Sequence, residues 1–114
     1  MNFGPLPSVE AAAVPAGGLV LDVREDDEWA AGHVEGALHV PMSDFVARFG
    51  EVTEAVADGR TAYVMCRVGG RSAQVTQYLV GQGIEAVNVT GGMQAWEGAG
   101  RPMVTDNGNP AFVL

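Results

Sequence analysis

The sequence predicts an α/β domain built on a mainly parallel sheet, on three observations. First, three short Val-rich apolar runs stand out: LVLDV (19–23), TAYVM (61–65) and EAVNV (85–89). They are largely continuous rather than alternating, as strands covered on both faces are. Second, helical patterns fall between the runs, so strand and helix alternate along the chain. Third, 114 residues suit one domain.

Residues 3–6 are a fainter strand candidate, after which Ser8 can cap a helix over VEAAA. LVLDV follows as a strand. Asp26 or Asp27 then starts a short helix through Glu28, Trp29 and Ala30 that ends at Gly32. Residues 38–40 are the second faint strand. Ser43 or Asp44 can cap DFVARF, with Gly50 as the stop, and TAYVM is the next strand. Ser72 can cap AQVTQYLVGQG, with Val75, Tyr78 and Leu79 on one face and Gly81 or Gly83 at its end. After EAVNV, Gly92 precedes the short helix MQAWEG. The organisation expected is a domain over residues 1–104 and a tail over 105–114. That tail, TDNGNPAFVL, is turn-rich and expected to be poorly ordered unless Phe112 to Leu114 dock.

Composition narrows the function. Apolar residues make up 47% and charged residues 18%, which is globular. A chain this long buries roughly two thirds of its unfolded surface and needs no staples. Fourteen carboxylates face six arginines, for a net charge of −8. That balance disfavours nucleic acid or an anionic membrane as a general partner. Any anion site must therefore be local, built from arginines or backbone N–H groups. One cysteine forms no internal disulfide and fits a reducing compartment. MNFGPLPSVE has neither a basic nor an apolar leader region, and the run 17–23 is broken by Asp22 and too short to span a bilayer. The cytoplasm is the expected location.

The chemistry concentrates in MCRVGGRSAQ (65–74). Cys66 ends a strand and Ser72 opens a helix, so the loop lies at the carboxyl end of a strand, where open α/β sheets bind ligands. Gly69 and Gly70 let successive N–H groups turn inward as an anion nest. Arg67 and Arg71 add full charges. An activated thiol needs its pKa lowered by two to three units, about 3–4 kcal/mol. A helix terminus supplies ~0.3–1 kcal/mol, at best ~2. The arginines and loop amides are therefore expected to share that work. A lone cysteine at a strand end is commonly a small buried hydrophobe, but two glycines, two arginines and a helix cap within seven residues serve no obvious packing purpose.

Three stretches, in order, resemble the single-domain rhodaneses, the thiosulfate sulfurtransferase-like family. LDVREDDEWAAGHVEGALHVP (21–41) is similar to the signature D-x-R-x-x-x-E followed by G-H-[IV]-x-G-A. CRVGGRS (66–72) resembles the loop C-R-x-G-x-R-[ST], and VTGGMQAWEGAGRP (89–102) the closing G-G-x-x-x-W. The resemblance implies a rhodanese-like fold of about five mainly parallel strands with helices on both faces. It implies a sulfurtransferase in which Cys66 takes a sulfane sulfur from a small anionic donor such as thiosulfate. The sulfur is held as a persulfide and passed to cyanide or a thiol, a protein thiol included. Residues Arg67, Val68, Gly69, Gly70, Arg71 and Ser72 would bind the substrate, with no metal or organic cofactor. With no second thiol in the chain, an outside acceptor is needed. The uncharged Val68 and Gly70 leave the loop less cationic than lysine-bearing versions, which argues against a preference for strongly anionic donors.

Two other readings compete. One is a persulfide carrier for a partner protein. The other is a cysteine-based phosphatase or arsenate reductase, although Cys66 to Arg71 is C-x4-R, one residue shorter than the C-x5-R that wraps a tetrahedral phosphate. Elsewhere the expectations are structural. Asp22, Arg24 and Glu28 are read as a buried network, with Arg24 on Glu28. His33 and His39 are read as loop-holding side chains, and Trp29, Trp96, Met42, Met93 and Met103 as packing. EDDE (25–28) is read as a solvated helix start.

Overall fold

The computed structural model describes residues 5–114. Five strands form one sheet: β1 (Ser8–Glu10), β2 (Leu19–Asp22), β3 (Leu38–His39), β4 (Ala62–Met65) and β5 (Ala86–Thr90). Their spatial order is β1-β5-β4-β2-β3, and every pairing is parallel. The helices are α1 (Asp26–Ala31), α2 (Phe49–Ala55), α3 (Gly70–Gly81) and α4 (Gly92–Gly98).

The side-chain period of two sorts the strands onto two cores. Leu21, Ala62, Val64 and Ala86 pack with Phe45, Val52 of α2, and Val75 and Leu79 of α3. Val20, Met65 and Val89 pack on the other face with Ala11, Val14, and Met93 and Trp96 of α4. Covering on both faces is why these strands read as continuous apolar runs. It also puts Asn88, in step with Ala86, on the α3 face.

The three strong strand expectations hold, as do α1 and α4. Four details differ. The faint strand at 3–6 falls partly outside the described residues, and Pro5 and Leu6 are not strand. Ser8 caps no helix: Ser8–Glu10 is β1, paired Ser8 to Asn88 through Glu10 to Thr90, and only Ala11–Ala13 turns, as a 3-10 turn. Sheet hydrogen bonds override the local helical tendency there. The DFVARF helix is displaced. A 3-10 turn at Met42–Asp44 comes first, and α2 begins only at Phe49 and runs through Gly50. Arg48 interrupts the helix at φ −106°, ψ 13°, with its guanidinium reaching back to the His39 carbonyl at 2.7 Å. Finally, α3 starts at Gly70 with Gly69 as its N-cap, not Ser72.

Arg24 fastens β2 to α1. Its side chain is fully buried and grips the Asp22 carboxylate at 2.7 Å, while Nη2 also donates to the Gly32 carbonyl at 2.8 Å. The expected Arg24–Glu28 side-chain pair does not form: Arg24 meets only the Glu28 carbonyl at 3.3 Å, and the Glu28 carboxylate pairs with Arg71. Trp29 lies stacked between His33 (3.6 Å) and His39 (4.5 Å). His33 shares a hydrogen bond with the Trp29 carbonyl at 2.8 Å, and His39 one with the Arg24 carbonyl at 2.7 Å. Both histidines therefore hold loops. Trp96 Nε1 donates to the Pro102 carbonyl at 2.9 Å, under the Arg101 guanidinium.

The C-terminal residues do dock. Phe112 N donates to the Ala31 carbonyl at 3.0 Å, and Val113 packs on the second core. Among the described residues, no helix is long and apolar enough to cross a membrane, and no three His, Cys, Asp or Glu side chains cluster as metal ligands would.

Because Arg24 is wholly buried, removing its partner leaves an uncompensated charge. Asp22→Ala is expected to lower stability by about 3–5 kcal/mol, read as a fall in the urea midpoint.

Candidate active site

Cys66 follows the central strand β4 directly, and the loop 66–69 carries the chain from β4 into α3. A thiol there would be expected to sit in hydrocarbon, since the residue is only 1% exposed. Cys66 does belong to the buried core cluster with Val64 and Val75, but its sulfur also meets polar donors. Gly69 N donates to Sγ at 3.0 Å and Ser72 Oγ lies at 3.2 Å.

Gly69 makes this turn possible. Its φ of +109° lies in the left-handed region that side-chain-bearing residues avoid. Gly92 fixes the outside of the loop. A Cβ there would lie 2.3 Å from the Cys66 carbonyl oxygen and 2.7 Å from the Arg67 carbonyl. That close approach lets Met93 N bond the Cys66 carbonyl at 2.8 Å and Gln94 N the Arg67 carbonyl at 3.1 Å. The carbonyls are thus held outward by α4, and the amides are left facing the sulfur.

Ser72 extends the polar wall. Its hydroxyl lies 2.6 Å from Asn88 Oδ1, and Asn88 Nδ2 donates to the Gly69 carbonyl at 3.3 Å. The carbonyl of Gly69 can only accept, so the amide nitrogen of Asn88 faces it and Oδ1 faces Ser72. With a neutral thiol, S–H donates to Ser72 and Ser72 donates to Asn88. With a thiolate, the single Ser72 proton must turn to sulfur. Burial pushes the Cys66 thiol up, but the Ser72 hydroxyl and the N–H groups of Ser72, Gly69 and Val68 outweigh it, and the thiol titrates below its ordinary value.

The guanidiniums take a smaller part than their sequence positions suggest. Arg71 forms a two-pronged ion pair with Glu28, both contacts 2.7 Å. Arg67 is exposed, and its Nε donates to the Leu114 carbonyl at 3.1 Å. Val68 is 52% exposed at the loop tip, and Gly70 opens α3. The structure brings Asn88, Gly92 and the Glu28–Arg71 pair against the 66–72 loop, none of which the loop's own residues announce. Glu28 is not merely a solvated helix-start residue. It forms a capping box with Glu25, and Arg71 holds its carboxyl below the usual carboxylate range.

A parallel sheet with a cysteine nest at the end of its central strand defines a rhodanese-type α/β domain. The chain belongs to the Rhodanese-like domain family, whose model matches residues 9–99. It is 42% identical over 83 residues to the putative sulfurtransferase YtwF of Bacillus subtilis, covering 73% of this chain and 77% of that one. It is 39% identical over 94 residues to the thiosulfate sulfurtransferase GlpE of Pseudomonas putida, covering 82% and 81%. A rhodanese-related protein from Thermoplasma volcanium superposes with a TM-score of 0.78 at 29% identity, covering 88% of this chain and 99% of that one.

The proton count at Ser72 sets an expectation for pH. Alkylation of Cys66 by iodoacetamide should show an inflection below the ~8.5 of an unstructured thiol. Ser72→Ala removes one hydrogen bond to a charge and should raise that inflection by about one to two units. An unmoved midpoint would show that Ser72 does not serve the thiolate.

Proposed function

We propose that the chain is a sulfurtransferase that works through a persulfide on Cys66. The observation that carries this reading is the sulfur's surroundings: the Gly69 amide at 3.0 Å, the Ser72 hydroxyl at 3.2 Å and a lowered thiol pKa. Such a setting favours an anionic sulfur over a buried neutral one.

The reaction splits into two displacements. The Cys66 thiolate attacks the outer sulfur of a sulfane donor such as thiosulfate. A new S–S bond forms, the donor's S–S bond breaks, and sulfite leaves with the electron pair. A thiophilic acceptor, cyanide or a thiolate, then attacks the outer sulfur of the persulfide, and the Cys66 thiolate is restored. No external oxidant or reductant is required. The same amides serve both halves, because the sulfur anion persists as thiolate and then as persulfide. The cytoplasm is the compartment that suits a free reactive thiol.

A phosphatase reading is disfavoured by Arg71. The residue that would wrap a phosphate is engaged with the Glu28 carboxylate, and the loop is already one residue short for that task. Transfer to a partner protein's thiol uses the same Cys66 chemistry and differs only in the acceptor.

Intact-mass measurement after incubation with thiosulfate or a thiosulfonate should show a gain of one sulfur atom. Cyanide should remove it and release thiocyanate, and Cys66→Ser should acquire none. A Cys66→Ser protein that still forms thiocyanate at the wild-type rate would end this proposal.

A further inference from the structure

The Arg71 guanidinium is the cation nearest in sequence to the sulfur-facing Ser72, and it is already matched by a charge. Nη1 and Nη2 meet Glu28 Oε1 and Oε2, both at 2.7 Å, with the Glu28 side chain only 13% exposed. Glu28 is itself fixed, since its Oε1 also accepts from Glu25 N at 3.1 Å in the capping box of α1. The Glu25 carboxylate, held by the Ser43 hydroxyl and amide, adds a second negative charge that acts on Arg71. Arg67 lies exposed at the start of the loop, with its Nε on the Leu114 carbonyl at 3.1 Å, so Arg71 is the guanidinium whose charge Glu28 controls.

The consequence concerns the donor's charge. A dianion entering over Cys66 would find no unpaired guanidinium at Arg71. It would have to break a two-pronged ion pair or sit beside a carboxylate. The protein's overall charge of −8 repels a dianion more than a monoanion. The backbone amides remain, but they suit the sulfur that is transferred rather than a second, remote negative charge.

We propose that Glu28 is a specificity-determining residue that sets this site for sulfane donors of low charge, thiosulfonates and hydropersulfides, in preference to dianionic thiosulfate. The inference rests on the persulfide reading of Cys66 and specifies its donor class. Glu28 acts through Arg71 and takes no part in bond making.

Methanethiosulfonate and thiosulfate make a matched pair of probes. Each carries one transferable sulfur on a tetrahedral sulfur, and a methyl group in one replaces a negatively charged oxygen in the other. In both reactions the Cys66 thiolate forms an S–S bond and a sulfur oxyanion departs, methanesulfinate or sulfite. The wild type should show a higher kcat/KM for methanethiosulfonate. Glu28→Gln keeps an oxygen to cap Glu25 and removes the charge, so it frees Arg71. It should raise kcat/KM for thiosulfate about tenfold relative to methanethiosulfonate, mainly through KM. Glu28→Asp, which keeps the charge, should retain the wild-type preference.

A wild type that prefers thiosulfate overturns the inference without any variant. So does a Glu28→Gln protein that folds and leaves the ratio unchanged. In both cases sulfur loading of Cys66 by either donor leaves the persulfide reading standing. Failure of both donors to load sulfur would instead remove that reading, and this inference with it.

Discussion

Everything in the site depends on a loop whose amides point one way and whose carbonyls point the other. Peptide groups prefer to satisfy both ends, so an inward ring of N–H donors needs something outside to take the carbonyls. Here α4 supplies it, with Met93 N on the Cys66 carbonyl and Gln94 N on the Arg67 carbonyl. The contact exists only because residue 92 has no side chain. The closing G-G-x-x-x-W signature, which begins 25 residues after Cys66, is therefore the outer half of that loop.

Electrostatically the site is economical with charge. The sulfur is served by neutral dipoles, Gly69 N at 3.0 Å and the Ser72 hydroxyl at 3.2 Å, while the Arg71 charge is shared with Glu28. Fixed dipoles of this kind stabilise an anion without leaving a naked cation in the resting protein. They also fit an acidic chain, since a neutral nest does not rely on overcoming the field of fourteen carboxylates. The buried ion pair, Arg24 with Asp22, has a different task. It anchors the turn into α1, and through that helix it sets where Glu28 stands.

Much of this was legible in the residues. Apolar runs covered on both faces gave three strands within a residue or so, and the cysteine, glycines and serine of 66–72 marked the nest. What was not legible depended on partners far away in the chain. Ser8–Glu10 reads as the start of a helix until β5 is beside it. Arg71 reads as a free cation until Glu28, 43 residues earlier, is brought against it. Asn88 reads as a polar residue within a strand. Its signal was present in the strand period, since a polar residue in step with buried Ala86 must face α3 and find a partner there. The expected helix gives way to a 3-10 turn, and α2 begins only after Arg48, whose guanidinium bonds the His39 carbonyl, a contact no local pattern announces.

The most direct test of the central claim is the crystal structure of the protein after soaking with a sulfane donor. The account predicts one additional sulfur bonded to Cys66 Sγ, received by the N–H groups of the 67–72 loop, with the Met93 and Gln94 contacts to the loop carbonyls intact. An unmodified Cys66, or an added sulfur turned away from those amides, would contradict it.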